Sequence, residues 1–220
     1  MGERDFRGKT EEISTQTEQN SIYDLERSDV MTGDSNKNRY LYYQLKQSIL
    51  NAKSIDIVVS FLMESGVKML LKDLKMALDR GVQIRLLTGN YLGITQPSAL
   101  YLLKNELGDR IDLRFYNQKN RSFHPKAYMF HRENESEIYI GSSNISRSAL
   151  TSGIEWNYRF SKSSDTVNFG LFMETFVDLF DNHSIIIDDK SIRLDNILII
   201  VFDLIADSNS SPSFTLILFI

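Results

Sequence analysis

Between residues 37 and 116 the apolar positions switch between helical and strand spacing. Tyr40, Leu41, Leu45, Ile49 and Leu50 fall on one stripe near a 3.6 period, which predicts a helix over Lys37–Ala52. Ile55, Ile57, Val58 and Val59 form a near-continuous apolar run, the pattern of a strand (Ser54–Phe61) buried on both faces. Val67, Leu70, Leu71, Leu74 and Leu78 predict a second helix over Ser65–Arg80, closed by Gly81. Val82–Thr88 reads as a second strand. Ser98 serves as the expected N-cap of a helix that runs to Leu107 and stops at Gly108. Ile111–Tyr116 is a third strand. This alternation predicts an α/β fold with a mixed, mostly parallel sheet flanked by helices and joined by right-handed crossovers.

The second half changes character. His124 and Lys126 stand two apart in a run that reads as a strand, so both side chains share one face with about 7 Å of rise between them. Pro125 lacks an N–H, so the strand begins there or needs no ladder bond at that point. Ile138-Tyr139-Ile140 ends in Gly141-Ser142-Ser143-Asn144, and a short helix is expected over Ile145–Leu150. Ile154–Phe160 alternates cleanly, with Glu155, Asn157 and Arg159 on one side and Ile154, Trp156, Tyr158 and Phe160 on the other. A long helix is expected over Ser164–Phe180. If the strands are neighbours, an imidazole, an ammonium, an amide and a carboxylate converge on one surface. That set suits phosphate chemistry: Lys126 and Asn144 hold oxygens, His124 attacks or transfers a proton, and Glu155 orients the ring.

Composition narrows the setting. A chain of 220 residues fits one domain with appendages. The absence of cysteine excludes disulfides and thiolate zinc sites. A net charge of −4 means that any nucleic-acid contact must use a local basic patch. Residues 1–36 read as a polar tail without the apolar centre of a signal peptide, 37–182 as the domain, and 183–220 as an extension of unassigned role. The apolar runs Ile197–Ile205, broken by Asp203, and Phe214–Ile220 are shorter than the roughly 20 residues that span a bilayer. A cytoplasmic setting without membrane contact is expected.

His124-x-Lys126 followed by Gly141-Ser142-Ser143-Asn144 resembles the HxK…GSxN signature of the phospholipase D superfamily, over roughly residues 38–181. The superfamily's Asp, five residues after the Lys, is replaced here by His131, and Glu155 in Glu155-Trp156-Asn157 is the stand-in. That variant resembles the nuclease branch: metal-independent restriction endonucleases, and PLD-like domains N-terminal to restriction helicases. The resemblance implies an α-β-α sandwich and a phosphohistidine formed on His124. A second histidine acts as the acid, so with one HxK per chain two chains share a site as a homodimer. The catalytic set would be His124, Lys126, Asn144 and Glu155, with no metal or other cofactor. The substrate would be DNA or another phosphodiester, with a helicase or methylase as a further partner.

Ser142, Ser143 and Ser60 are expected at the substrate. Ligands gather at the carboxyl ends of parallel strands, which adds Thr88, Gly89 and Asn90 to the rim. Lys119 and Arg121 make the following loop basic, and read equally well as solvated surface charges. Ser142, Ser143 and Asn144 also read as turn and cap residues. His131 falls on the opposite strand face from His124 and reads as structural or exposed. Two other readings stay open: a PLD-like module that binds nucleic acid or dimerises without catalysis, and a phospholipase.

Overall fold

The structure, a computed structural model, describes residues 29–34, 39–118 and 121–187. Lys119 and most of the expected tail and extension lie outside them. The described elements are β1 (Val30–Met31), α1 (Leu41–Asn51), β2 (Ser54–Val59), α2 (Glu64–Asp79), β3 (Gln83–Thr88), α3 (Pro97–Leu107), β4 (Ile111–Tyr116), β5 (Lys126–His131), β6 (Ser136–Gly141), α4 (Arg147–Thr151), β7 (Asn157–Ser161), α5 (Thr166–Asn182) and β8 (Ser184–Ile186). The expected order of helices and strands holds through β4. The cap at α3 differs: Gln96 holds the N-cap position and Pro97 opens the helix, where its missing N–H costs nothing.

All eight described strands form one sheet in the order β1-β7-β6-β5-β2-β3-β4-β8. The sheet is mixed and helix-flanked, as the sequence pattern predicts. Its parallel part is confined to β2-β3-β4, and the other pairings are antiparallel. The reason is the connections. α2 and α3 carry the chain back to the start of the sheet, whereas β5 and β6 are joined by a link too short to do so, and the short helix between β6 and β7 stays at the end of the sheet where β6 finishes. Strand pairing extends to both flanks of the 37–182 stretch: Val30–Met31 pairs with β7, and Ser184–Ile186 pairs with β4.

Two apolar layers cover the sheet. Ile55, Ile57 and Val59 face α1, α2 and α3 through Leu45, Leu70, Leu74 and Leu103. Val58, Leu87, Met129 and Ile138 face α5 through Phe169, Phe176 and Phe180. Each fully buried side chain of this size stabilises the fold by about 1.5–3 kcal/mol. Among the α5-facing residues, Asp56 accepts two bonds from Arg85, at 2.6 and 2.9 Å, and pairs with His131 Nε2 at 3.0 Å. Burial alone would raise the Asp56 pKa, but the bonds from His131 and Arg85 outweigh it and hold the carboxyl below its usual range. His131 is therefore a sheet-buttressing residue.

The alternation of β7 is as expected: Phe160 packs on Phe169 and Phe172 of α5, and the polar positions are buried on the other face. Asn157 is 5% exposed, whereas Trp156 is 73% and Tyr158 52% exposed. The cause is a buried carboxylate, Glu137. It accepts from Ser48 Oγ at 2.6 Å, from Arg159 Nη1 at 2.9 Å and from Arg132. Arg159 also bonds Asp29 at 2.8 Å, which ties the chain around β1 to the sheet. Glu137→Ala leaves two guanidinium groups without their shared partner. Its expected cost is about 3 kcal/mol, the low end for breaking a buried pair because both arginines keep some exposure. A lower urea midpoint at unchanged slope would show it.

Candidate active site

The site follows from one topological fact. β5 lies between β2 and β6 and runs against both, so its first residue meets their last ones. Lys126 is opposite Val59, and Ala127 is opposite Ile140. β7 is likewise antiparallel to β6, which brings Asn157 beside Gly141. The starts of β5 and β7 and the ends of β2, β3 and β6 therefore share one edge of the sheet.

The Gly141–Asn144 turn is locked from both sides. A Cβ on Gly141 would stand 2.1 Å from Trp156 O, so only glycine lets the two backbones approach. Ser142 N donates to Trp156 O, and Trp156 N donates to Ser142 Oγ, each at 3.0 Å. Ser142 Oγ also donates to Glu155 Oε2. Ser143 is wholly buried: its Oγ accepts from Asn157 Nδ2 at 2.8 Å, and its carbonyl accepts from Tyr128 Oη at 3.0 Å. Asn144 Oδ1 accepts from Ser60 N at 2.9 Å and Phe61 N at 3.2 Å. With the oxygen so engaged, Nδ2 is the end of the amide that donates outward.

His124 and Lys126 are placed differently from each other. The strand begins at Lys126, so His124 precedes it and projects exposed from the His-Pro lead-in. Pro125 O accepts from Ser60 Oγ at 3.1 Å, which pins the lead-in to the end of β2. Lys126 is 6% exposed, and its Nζ donates to His124 O at 3.0 Å. Desolvation holds the Lys126 pKa below its usual value, while the Glu155 carboxylate works in the opposite sense. Desolvation first, and then the Lys126 charge, hold the His124 pKa below its usual value. The neutral imidazole is favoured, which is the form able to attack phosphorus.

The structure thus brings His124, Lys126, Asn144, Ser142 and Glu155 to one sheet edge. Glu155 is bonded to Ser142 rather than to His124. Ser60 and Ser143 are buried with their hydroxyls engaged inside the protein, so they frame the site. Arg121 is exposed on the loop before His124. Sequence reasoning missed Tyr91, whose ring lies 4.1 Å from that of His124. It sits in a turn after Asn90 that nothing in the apolar pattern marks, although the strand-end rule pointed to its neighbours. Two of those, Thr88 Oγ1 and the Asn90 amide, are buried with no partner among the described residues. No group of three or more His, Asp or Glu side chains among the described residues is arranged to hold a metal ion.

A helix-flanked mixed sheet with a His-x-Lys and a Gly-Ser-x-Asn turn meeting at one edge defines a phospholipase D-like domain. The chain belongs to the family described as the PLD-like domain of cardiolipin synthase, whose pattern matches residues 45–182. No curated protein sequence matches it. Among solved structures it is similar to Nuc, a phospholipase D family member from Salmonella typhimurium. That match has a TM-score of 0.54 and 22% identity, and covers 73% of this chain and 98% of Nuc. NucT from Helicobacter pylori follows with a TM-score of 0.52 and 12% identity, covering 68% and 94%. Polyphosphate kinase from Porphyromonas gingivalis matches with a TM-score of 0.54 and 18% identity, covering 74% of this chain and 24% of the kinase. These likenesses describe a fold that carries more than one activity. Among the described residues no helix is long and apolar enough to cross a membrane.

Two expectations follow from the geometry. In an NMR titration the His124 midpoint lies below 6.5, and Lys126→Met moves it upward while the desolvation share remains. Tyr91→Ala removes the tilted ring contact with His124, so the imidazole resonances of the variant are expected to show greater mobility with little change in thermal midpoint.

Proposed function

We infer that the protein is a metal-independent phosphodiesterase acting on DNA, an endonuclease of a restriction or defence system. The observation that carries this reading is the convergence of an exposed imidazole of depressed pKa with Lys126 Nζ and Asn144 at one sheet edge. His124 of one chain attacks phosphorus, forming a P–N bond as the P–O bond to the leaving strand breaks. The same residue of a second copy gives its proton to the departing oxygen. Water then attacks the phosphohistidine, that second imidazole takes its proton, and the P–N bond breaks. Lys126 and the Asn144 amide lie against the non-bridging oxygens and offset the charge that grows there. Ser142 fixes the Glu155 carboxylate near Lys126, and Arg121, with Lys119, would form the basic rim that receives the strand.

Sharing of the site between two copies is supported by what surrounds it. Ile154 and Trp156, on either side of Glu155, are 85% and 73% exposed, and Leu92, next to Tyr91, is 78% exposed. Apolar surface so close to a catalytic edge is what a two-fold interface would cover. One observation favours a different reading, a PLD-like module that binds without cleaving: Glu155 makes its bond to Ser142, and His124 has no carboxylate partner among the described residues.

Plasmid cleavage in EDTA decides between them. The nuclease reading expects cleavage that persists in EDTA and falls by about four orders of magnitude or more in His124→Ala, the scale of removing an essential nucleophile. DNA binding without cleavage by either protein would favour the module. Trp156→Glu is expected to convert a dimer to a monomer in sedimentation and to lower cleavage in parallel.

A further inference from the structure

A second polar surface lies outside the catalytic edge. α1, α2 and α4 enclose a groove of about 530 Å³ lined by Lys46, Lys68, Lys72 and Arg147, with Tyr42 on its wall and Asp73 as its one carboxylate. Four cations against one acid stand out in a chain whose net charge is −4. The cations are held loosely. Lys68 makes only a surface pair with Glu64 at 2.5 Å, and Lys46 lies 5.5 Å from the Tyr42 ring centroid. Such pairs stabilise a protein by little and exchange readily for another anion. Lys72 and Arg147 make no ion pair among the described residues.

The groove begins beside the turn that carries Asn144. Arg147 follows Asn144 by three residues, and its N–H donates to Ser65 Oγ at the start of α2. Ile145 O accepts from Met63 N at 2.9 Å, and a Cβ on Gly66 would come within 2.4 Å of the Ile145 backbone, so the turn and the helix start are pressed together. From there Lys68 and Lys72 follow at i, i+4 on one helix face, about 6 Å apart along the axis. Tyr42, half-buried against the core, forms the wall beside Lys46.

We propose that this groove is the exit track for a single nucleic-acid strand, whose phosphates Arg147, Lys68, Lys72 and Lys46 bind as it leaves the catalytic edge. The proposal rests on the nuclease reading for its direction, but not for its binding chemistry. A strand fits better than a lipid surface because the cations line a concavity, which a flat headgroup layer does not enter, and because their row leads away from the phosphate site.

The test uses the full chain carrying Lys46→Gln, Lys72→Gln and Arg147→Gln together, with Lys53→Gln, an exposed charge at the far end of β2, as control. Binding of a labelled single strand is measured by anisotropy in EDTA, over a salt series, in the His124→Ala background. The triple variant is expected to lose at least about tenfold in affinity, and its log–log salt slope to fall by about 2, since each phosphate contact to a single strand contributes about 0.7. Lys53→Gln leaves the slope unchanged. With His124 intact, hydrolysis of bis-p-nitrophenyl phosphate by the triple variant equals wild type, because so small a diester never reaches the groove. An unchanged slope overturns the track, even if diester hydrolysis remains His124-dependent. Loss of binding only to anionic phospholipid vesicles, with DNA affinity intact, overturns it as well. A reduced slope with no His124-dependent hydrolysis by any form sustains the groove and removes the nuclease reading instead.

Discussion

The side-chain oxygen of Asn144 accepts the backbone N–H groups of Ser60 and Phe61, and the candidate site depends on that junction. Those two donors sit where β2 leaves the sheet and would otherwise face a loop. The bond joins the turn after β6 to the end of β2 across the strand that lies between them. Ser60 uses its hydroxyl to hold Pro125 from the other side. The His124–Lys126 lead-in is thus clamped between two turns, and a displacement of either would carry the imidazole and the ammonium apart. Rigidity of this kind is what positioning of reacting groups requires.

The sheet beneath the junction is braced by polar pairs as well as by apolar burial. Asp56, Arg85 and His131 bind three adjacent strands on the α5 side, with the Arg85 guanidinium 5.0 Å from the Phe176 ring centroid. Glu137 gathers Ser48, Arg132 and Arg159 on the α1 side. Each is a carboxylate removed from water and satisfied by several hydrogen bonds, so these clusters specify register more than they add stability. The Glu137 cluster also orients β7: a strand that delivers Arg159 to a buried carboxylate on the α1 side turns Tyr158 and Phe160 to the α5 side, where Phe160 packs on Phe169 and Phe172 and Tyr158 stays exposed.

Much of the architecture was legible in the chain. The 3.6 and 2.0 periods placed α1, α2, α3 and the strands between them because burial on a known face leaves its mark at fixed spacing. His124, Lys126 and Asn144 were legible because their spacing matches a known signature and their chemistry suits a phosphate. β8 was not legible, since three residues carry no period, and Tyr91 was hidden in a turn whose position depends on Ser60 rather than on any local pattern. Ser60 and Ser143 were read toward the substrate because a hydroxyl near a site looks the same in sequence whether it faces outward or bonds within.

The sequence by itself determined the helices and the longer strands, and it supplied the imidazole, ammonium and amide that phosphate chemistry needs. Those are local properties, set by side-chain periodicity and residue type. Only the tertiary structure decided that β5 inserts antiparallel between β2 and β6, that Glu155 pairs with Ser142, and that four scattered cations on α1, α2 and α4 line one groove. Each of these is a long-range juxtaposition. Its free energy comes from contacts between residues far apart in the chain, and no local spacing encodes it.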